Sequence, residues 1–148
     1  MNTPLNVVCP ACGVVNRVPR ERAGAGPKCG KCHQALFSGE PIPLTSGNFE
    51  RQVLRSGIPV LVDFWAPWCG PCRAMAPAFE QAAATLEPRV RLAKLNTDEE
   101  QQLAARFGIR SIPTMILFED GREVARQSGA LPGGAIEQWV KRTLRAVV

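Results

Sequence analysis

FWAPWCGPCRAMAP, residues 64–77, decides the fold. Upstream, PVLVDFWA (59–66) is apolar on both faces except at Asp63, the pattern of a strand buried in the middle of a sheet. Downstream, Met75, Phe79, Ala83 and Leu86 recur at helical spacing, with Pro77 expected to kink the helix. Between strand and helix sit Cys69 and Cys72, two residues apart. Cys69 is placed at the helix N-terminus, where unpaired N–H groups and the macrodipole favour a thiolate. Gly70 and Pro71 suit a first helical turn, and Cys72 falls one turn in, close enough to close a disulfide with Cys69 and more shielded. The pattern is an exposed attacking thiol and a buried resolving one. Zinc is the competing use of a CxxC pair, but no second pair lies nearby in sequence to complete four ligands.

The rest of the chain supplies further elements. SGEPIPLTSG (38–47) reads as a linker running into a short strand, and Ser46–Asn48 as the cap of a short helix carrying Phe49, Val53 and Leu54. VRLAKLN (90–96) is a strand, and Asp98 is expected to cap EEQQLAARF, which Gly108 ends. TMILFEDGREVARQSG is a hairpin turning at Asp120–Gly121, and Ile136, Trp139, Val140 and Leu144 line a closing amphipathic helix. Alternating strands and helices followed by a hairpin predict an α/β domain: a mixed sheet with helices on both faces.

Before residue 40 the composition changes. Four of the six cysteines lie there, as CPAC (9–12) and CGKC (29–32), with the single histidine, His33. Cys9, Cys12, Cys29 and Cys32 have the spacing of two knuckles around a tetrahedral ion. Thiolate-only sites suit both zinc and iron, and zinc is the expected ion. A segment of about 40 residues buries too little core to fold unaided, so metal would supply most of its folding energy. The alternatives are two disulfides or four free thiols. His33 is adjacent to Cys32 and is read as a solvated loop residue.

The net charge of +5 is scattered, and Phe37 is the one aromatic residue in the first 40. Nucleic-acid surfaces cluster their charge and add stacking rings, so that class is set aside. No apolar run is long enough for a bilayer, and MNTPLNVVCPACG lacks the basic and apolar regions of a secretory signal. A cytoplasmic protein is expected, where paired cysteines serve metal binding or catalysis.

Asp63 is the unusual residue of its strand. Desolvation of a buried carboxyl raises its pKa, which equips it to take the proton of Cys72, directly or through water; the structural alternative is a carboxylate satisfied by backbone amides. Lys94 shares a face with Val90 and Leu92 and reads equally well as a snorkelling surface lysine or as a charge opposing the pKa rise of Asp63. Pro113 in RSIPT stands just before a strand.

VDFWAPWCGPC, KLNTD, FGIRSIPT, LFEDG and SGA, in that order across residues 42–148, resemble the thioredoxin family. With the preceding CxxC pairs the whole chain is similar to the zinc-containing, thioredoxin 2 type of bacterial thioredoxin. The resemblance implies a thioredoxin fold (39–148) behind a zinc-ribbon-like module (1–38). It implies Cys69 as nucleophile, Cys72 as resolving cysteine, Asp63 as buried acid/base with Lys94 beside it, and Pro113 as a cis-proline facing the site. Ile112 would offer backbone hydrogen bonds to an extended substrate, with Trp68, Gly129 and Ala130 completing an apolar docking surface and Trp65 packed beneath. It implies a monomeric protein-disulfide reductase recharged by NADPH-dependent thioredoxin reductase, one zinc on Cys9, Cys12, Cys29 and Cys32, and neither flavin nor nicotinamide bound directly; no Gly-rich dinucleotide loop is found. A disulfide oxidase or isomerase on the same fold is a rival, opposed by Gly70–Pro71 between the cysteines. The other rival is a partner-binding protein whose zinc module does the docking. The module is expected to be separable from the redox chemistry.

Overall fold

The computed structural model describes residues 3–147. Residues 1, 2 and 148, the ends of the two expected domains, lie outside the described residues. An N-terminal hairpin pairs β1 (Leu5–Val8) with β2 (Val15–Val18). The larger sheet contains β3 (Ile42–Leu44), β4 (Val60–Trp65), β5 (Arg91–Asn96), β6 (Thr114–Glu119) and β7 (Arg122–Ser128), in the order β3-β5-β4-β6-β7. β3, β5 and β4 run parallel; β6 and β7 are antiparallel to their neighbours. The helices are α1 (Gly70–Leu86), α2 (Gln101–Arg106) and α3 (Ala135–Val147).

β4 is apolar on both faces because it is the central strand with a layer on either side. Val60, Val62 and Phe64 pack on one face with Phe49, Ala93, Leu95, Leu103, Ile116 and Phe118. Leu61 points to the other, against Met75, Phe79, Leu86, Leu92, Met115, Ile136 and Val140 from α1, α3 and the adjacent strands. The inner-face residues expected of α1 and α3 are therefore the observed ones; Trp139 and Leu144 are partly buried at the edge. α1 runs unbroken through Pro77. The β6–β7 hairpin turns at Asp120 (φ 52°) and Gly121 (φ 76°), the two left-handed positions that a type I′ turn demands.

Two local expectations are corrected. The segment after Ser46–Asn48 is only a π-helical turn, Glu50–Leu54, without a side-chain cap, and the Asn48 side chain accepts from Thr45 N–H instead. Asp98 does not cap α2: the Asn96 carboxamide accepts from Asp98 and Glu99 N–H, so a turn occupies those residues and α2 starts later, after an uncapped Glu100. Gly108 ends α2 with φ 64° as expected.

The N-terminal segment packs where β4 and β5 begin: Gly57 N–H donates to Asn6 O at 3.0 Å, and Arg91 Nη1 to Leu36 O at 2.9 Å. The Cys69–Cys72 turn follows the far end of β4. Six strand residues separate the two ends, about 17–20 Å.

Candidate functional site: a redox pair and a four-cysteine cluster

Cys69 is the N-cap of α1 and is joined to Cys72 by a disulfide, Cα atoms 5.2 Å apart. Cys72 N–H donates to Cys69 Sγ at 3.2 Å, so an orphan donor of the helix end points at the sulfur and would stabilise its thiolate. The expected contrast in exposure is small in this disulfide form: Cys69 is 4% exposed and Cys72 2%. The Cys69 sulfur is bonded to Cys72 and lies 3.7 Å from Ile112 O, which covers it. The surroundings still differ. Cys69 is flanked by Trp68, 69% exposed, and by exposed Gly70 and Pro71. Cys72 shares the inner face of α1 with Met75 and Phe79.

Asp63 lies on that side of the sheet. Side chains alternate along a strand, so Asp63 shares the face of Leu61, which packs under α1, but stands two residues nearer the cysteine turn. It is 1% exposed and its Oδ1 has no hydrogen-bond partner. Desolvation pushes its carboxyl up to about 7, opposed by the positive charge of Lys94. Lys94 is its register partner on β5, and Lys94 Nζ sits 4.3 Å from the centre of the Trp65 ring. Lys94 also lines a cleft of about 360 Å³ with Glu40, Pro41 and Glu80. The lysine thus both faces the acid and reaches the surface.

The Ile112–Pro113 bond is cis, and Ile112 O lies 3.7 Å from Cys69 Sγ; Pro113 itself is buried. Gly129 and Ala130 are exposed, and Gly129 N–H donates to Pro113 O at 2.8 Å, tying their loop to the proline. Trp68 Nε1 donates to both Asp98 carboxylate oxygens, at 3.0 and 3.2 Å. Asp98 is thus a site residue that sequence reasoning spent on a helix cap; its only sequence signal is its place in KLNTD.

At the other pole, Cys9, Cys12, Cys29 and Cys32 form a cluster whose sulfurs all lie within 4.8 Å of one another, the closest pairs at 3.6 Å. Four thiolates about 2.3 Å from a zinc ion stand about 3.8 Å apart, so the donor set fits such an ion. The two knuckles share one backbone design. Gly13 N–H donates to Cys9 O and His33 N–H to Cys29 O, each at 2.9 Å, and both residues are left-handed, φ 80° and 66°. His33 therefore completes a knuckle turn and lies outside the cluster. Ala11 and Cys12 N–H reach Cys9 Sγ, and Lys31 N–H reaches Cys29 Sγ, all at 3.4 Å. The Cys32 N–H, with Lys31 N–H and the Asn16 amide, outweighs burial and draws the Cys29 thiol down to about 6.

A redox-active CxxC pair presented at a helix N-terminus from a mixed sheet of this strand order defines a thiol–disulfide oxidoreductase of the thioredoxin fold. Residues 40–142 match the family model described as thioredoxin, and residues 8–34 the one described as thioredoxin 2, N-terminal. The chain belongs to the thioredoxin family. It is 48% identical to thioredoxin C-3 of Corynebacterium nephridii over 139 residues, 94% of this chain and 95% of that one. It is 46% identical to thioredoxin 1 of a Nostoc species over 101 residues (68% and 94%), and 42% identical to the thioredoxin of Haemophilus influenzae over 103 residues (70% and 96%). The full-length match takes in the cysteine-rich segment; the two shorter ones do not span the whole chain. No helix among the described residues is long and apolar enough to cross a membrane.

Proposed function

We propose that this protein is a cytoplasmic, monomeric protein-disulfide reductase: a thioredoxin domain (39–148) joined to a zinc-binding module (1–38). The observation that carries the reading is the Cys72 N–H directed at Cys69 Sγ at the head of α1. It supports Cys69 as the sulfur that carries negative charge. Cys69 thiolate attacks one sulfur of a substrate disulfide, the substrate S–S bond breaks, and the departing thiolate takes a proton from solvent. Cys72 then gives its proton to ionised Asp63, a base matched to neutral pH by its burial, and attacks Cys69 Sγ. The second substrate thiolate leaves, so two electrons have passed to the substrate and Cys69–Cys72 is the disulfide. The proton on Asp63 then passes to water, which restores the carboxylate for the next turnover.

An extended substrate segment lies along Ile112, Pro113, Gly129 and Ala130, with Trp68 as the exposed apolar contact held by Asp98. Thioredoxin reductase, drawing on NADPH, restores the dithiol. Cys9, Cys12, Cys29 and Cys32 hold one zinc ion, which supplies a crosslink that the small module core lacks. The test is turnover of a model protein disulfide with NADPH and thioredoxin reductase. Cys69→Ala abolishes it; an enzyme that keeps substantial activity without Cys69 overturns the assignment. Persistence of the cellular function in a Cys69→Ser, Cys72→Ser variant that still folds would favour the partner-binding reading.

A further inference from the structure

The cysteine cluster is held to the thioredoxin sheet through its own ligand loops. Gln52, 4% exposed, donates Nε2 to the carbonyl of Cys9 at 3.0 Å. Arg91, 2% exposed at the start of β5, donates Nη2 to the carbonyl of the preceding residue, Val8, at 3.3 Å and Nη1 to Leu36 O at 2.9 Å. Its guanidinium lies 3.4 Å from Glu87 and 5.0 Å from the Phe37 ring centre, and the other Glu87 oxygen accepts from Gly39 N–H at 2.7 Å. The approach is close: a Cβ on Gly57 would stand 2.6 Å from Asn6 O.

A buried guanidinium needs acceptors for its donors. Glu87 is the side-chain acceptor from the thioredoxin domain, and the two carbonyls come from the cysteine-rich segment. Conversely, Cys9 offers its sulfur to the cluster and its carbonyl to Gln52. The segment's own core is small: Val7, Val18, Ala23 and Leu36 around two cysteines. Whatever fixes the Cys9 loop therefore also completes the Arg91 and Gln52 shells.

We propose that Arg91 and Gln52 are positioning residues for the four-cysteine metal site, and that metal occupancy and the stability of the thioredoxin domain are coupled through them. The inference rests on the zinc reading above. Coupling is reciprocal: metal binding steadies the domain, and loss of either anchor weakens metal binding. A module joined only by a tether would show neither effect.

All three tryptophans, Trp65, Trp68 and Trp139, lie in the thioredoxin domain, so their fluorescence reports that domain alone. The experiment uses the full chain under a phosphine reductant, with zinc content measured first. Urea unfolding is then followed by tryptophan emission with and without a chelator, and zinc affinity is measured by competition with a chromogenic chelator. Chelation is expected to lower the urea midpoint of the wild type. Arg91→Met and Gln52→Met are each expected to bind zinc at least tenfold more weakly and to show a smaller midpoint shift on chelation. Should Arg91→Met fail to fold with Glu87 left unpaired, Gln52→Met decides. A protein without zinc overturns the metal reading. Zinc present with an unmoved wild-type midpoint, or wild-type zinc affinity in the folded variants, overturns the coupling.

Discussion

Replacing Asp63 with asparagine should stabilise the oxidised protein, by an amount that depends on pH. The carboxyl is 1% exposed with an unpartnered oxygen, and burial lifts it from 3.8 to about 7 against the pull of Lys94. Between about pH 4 and pH 7 the native protein therefore holds a proton that the unfolded chain has released. Stability from this group falls as pH rises through that window, and the whole cost is present above pH 7. The gap between 3.8 and about 7, at about 1.4 kcal/mol per pH unit, amounts to about 4 kcal/mol. The carboxamide introduced by Asp63→Asn would be neutral at every pH and nearly the shape of the protonated acid. The two proteins should thus be similar near pH 4 and separate by up to about 4 kcal/mol at pH 8. Urea unfolding of both, at intervals from pH 4 to 8, measures this. The other titrating groups, the four clustered cysteines included, are common to both proteins, so the difference isolates Asp63. A difference that stays flat with pH would refute the buried, proton-holding acid.

Other outcomes follow from the same geometry. Stopped-flow traces at neutral pH should show Asp63→Asn slowing release of the mixed disulfide more than its formation, because under the proposed mechanism only release needs a base for Cys72; equal slowing of both steps would remove Asp63 from that role. A chain beginning at Glu40 should still reduce disulfides, since the cysteine turn lies at the opposite end of β4 from the module, but should unfold at lower urea. Arg91 loses two carbonyl acceptors and Glu87 loses Gly39 N–H, a change of about 2–4 kcal/mol after water replaces them. Inactivity of a folded chain of this kind would contradict the separation of redox chemistry from metal. Oxidant added to the zinc-loaded protein should release the metal, read with a chromogenic chelator, because sulfurs paired in disulfides no longer bind it; retention of zinc by oxidised Cys9, Cys12, Cys29 and Cys32 would argue against these ligands.

The sequence was most informative where a pattern is local. A two-face apolar run before CGPC can only be a central strand feeding a helix, and Asp120–Gly121 between alternating residues can hardly be anything but a hairpin turn. The CxxC spacing of the four N-terminal cysteines already contained the two knuckles. What was not legible depends on partners distant in sequence. Arg91 opens a strand, where a charge ordinarily faces water, and is buried only because Val8 and Leu36 bring their carbonyls to it. Asp98 matches a helix cap until Trp68, thirty residues away, claims its carboxylate. β1 and β2 have four residues each, too few for periodicity to declare itself. The near-equal burial of Cys69 and Cys72 was not legible either, because the Ile112 carbonyl that lies against the Cys69 sulfur comes from a distant segment of the chain.

The central claim is that Cys69 performs the attack and Cys72 the release. Its most direct test is intact-mass and peptide mapping of the reduced, zinc-loaded Cys72→Ser protein after mixing with a disulfide-containing protein. One substrate should be captured per chain, in a mixed disulfide mapped to Cys69, and the wild type treated alike should show almost none. A substrate captured instead on Cys9, Cys12, Cys29 or Cys32, or Cys72→Ser turning over without a trapped species, would contradict the account.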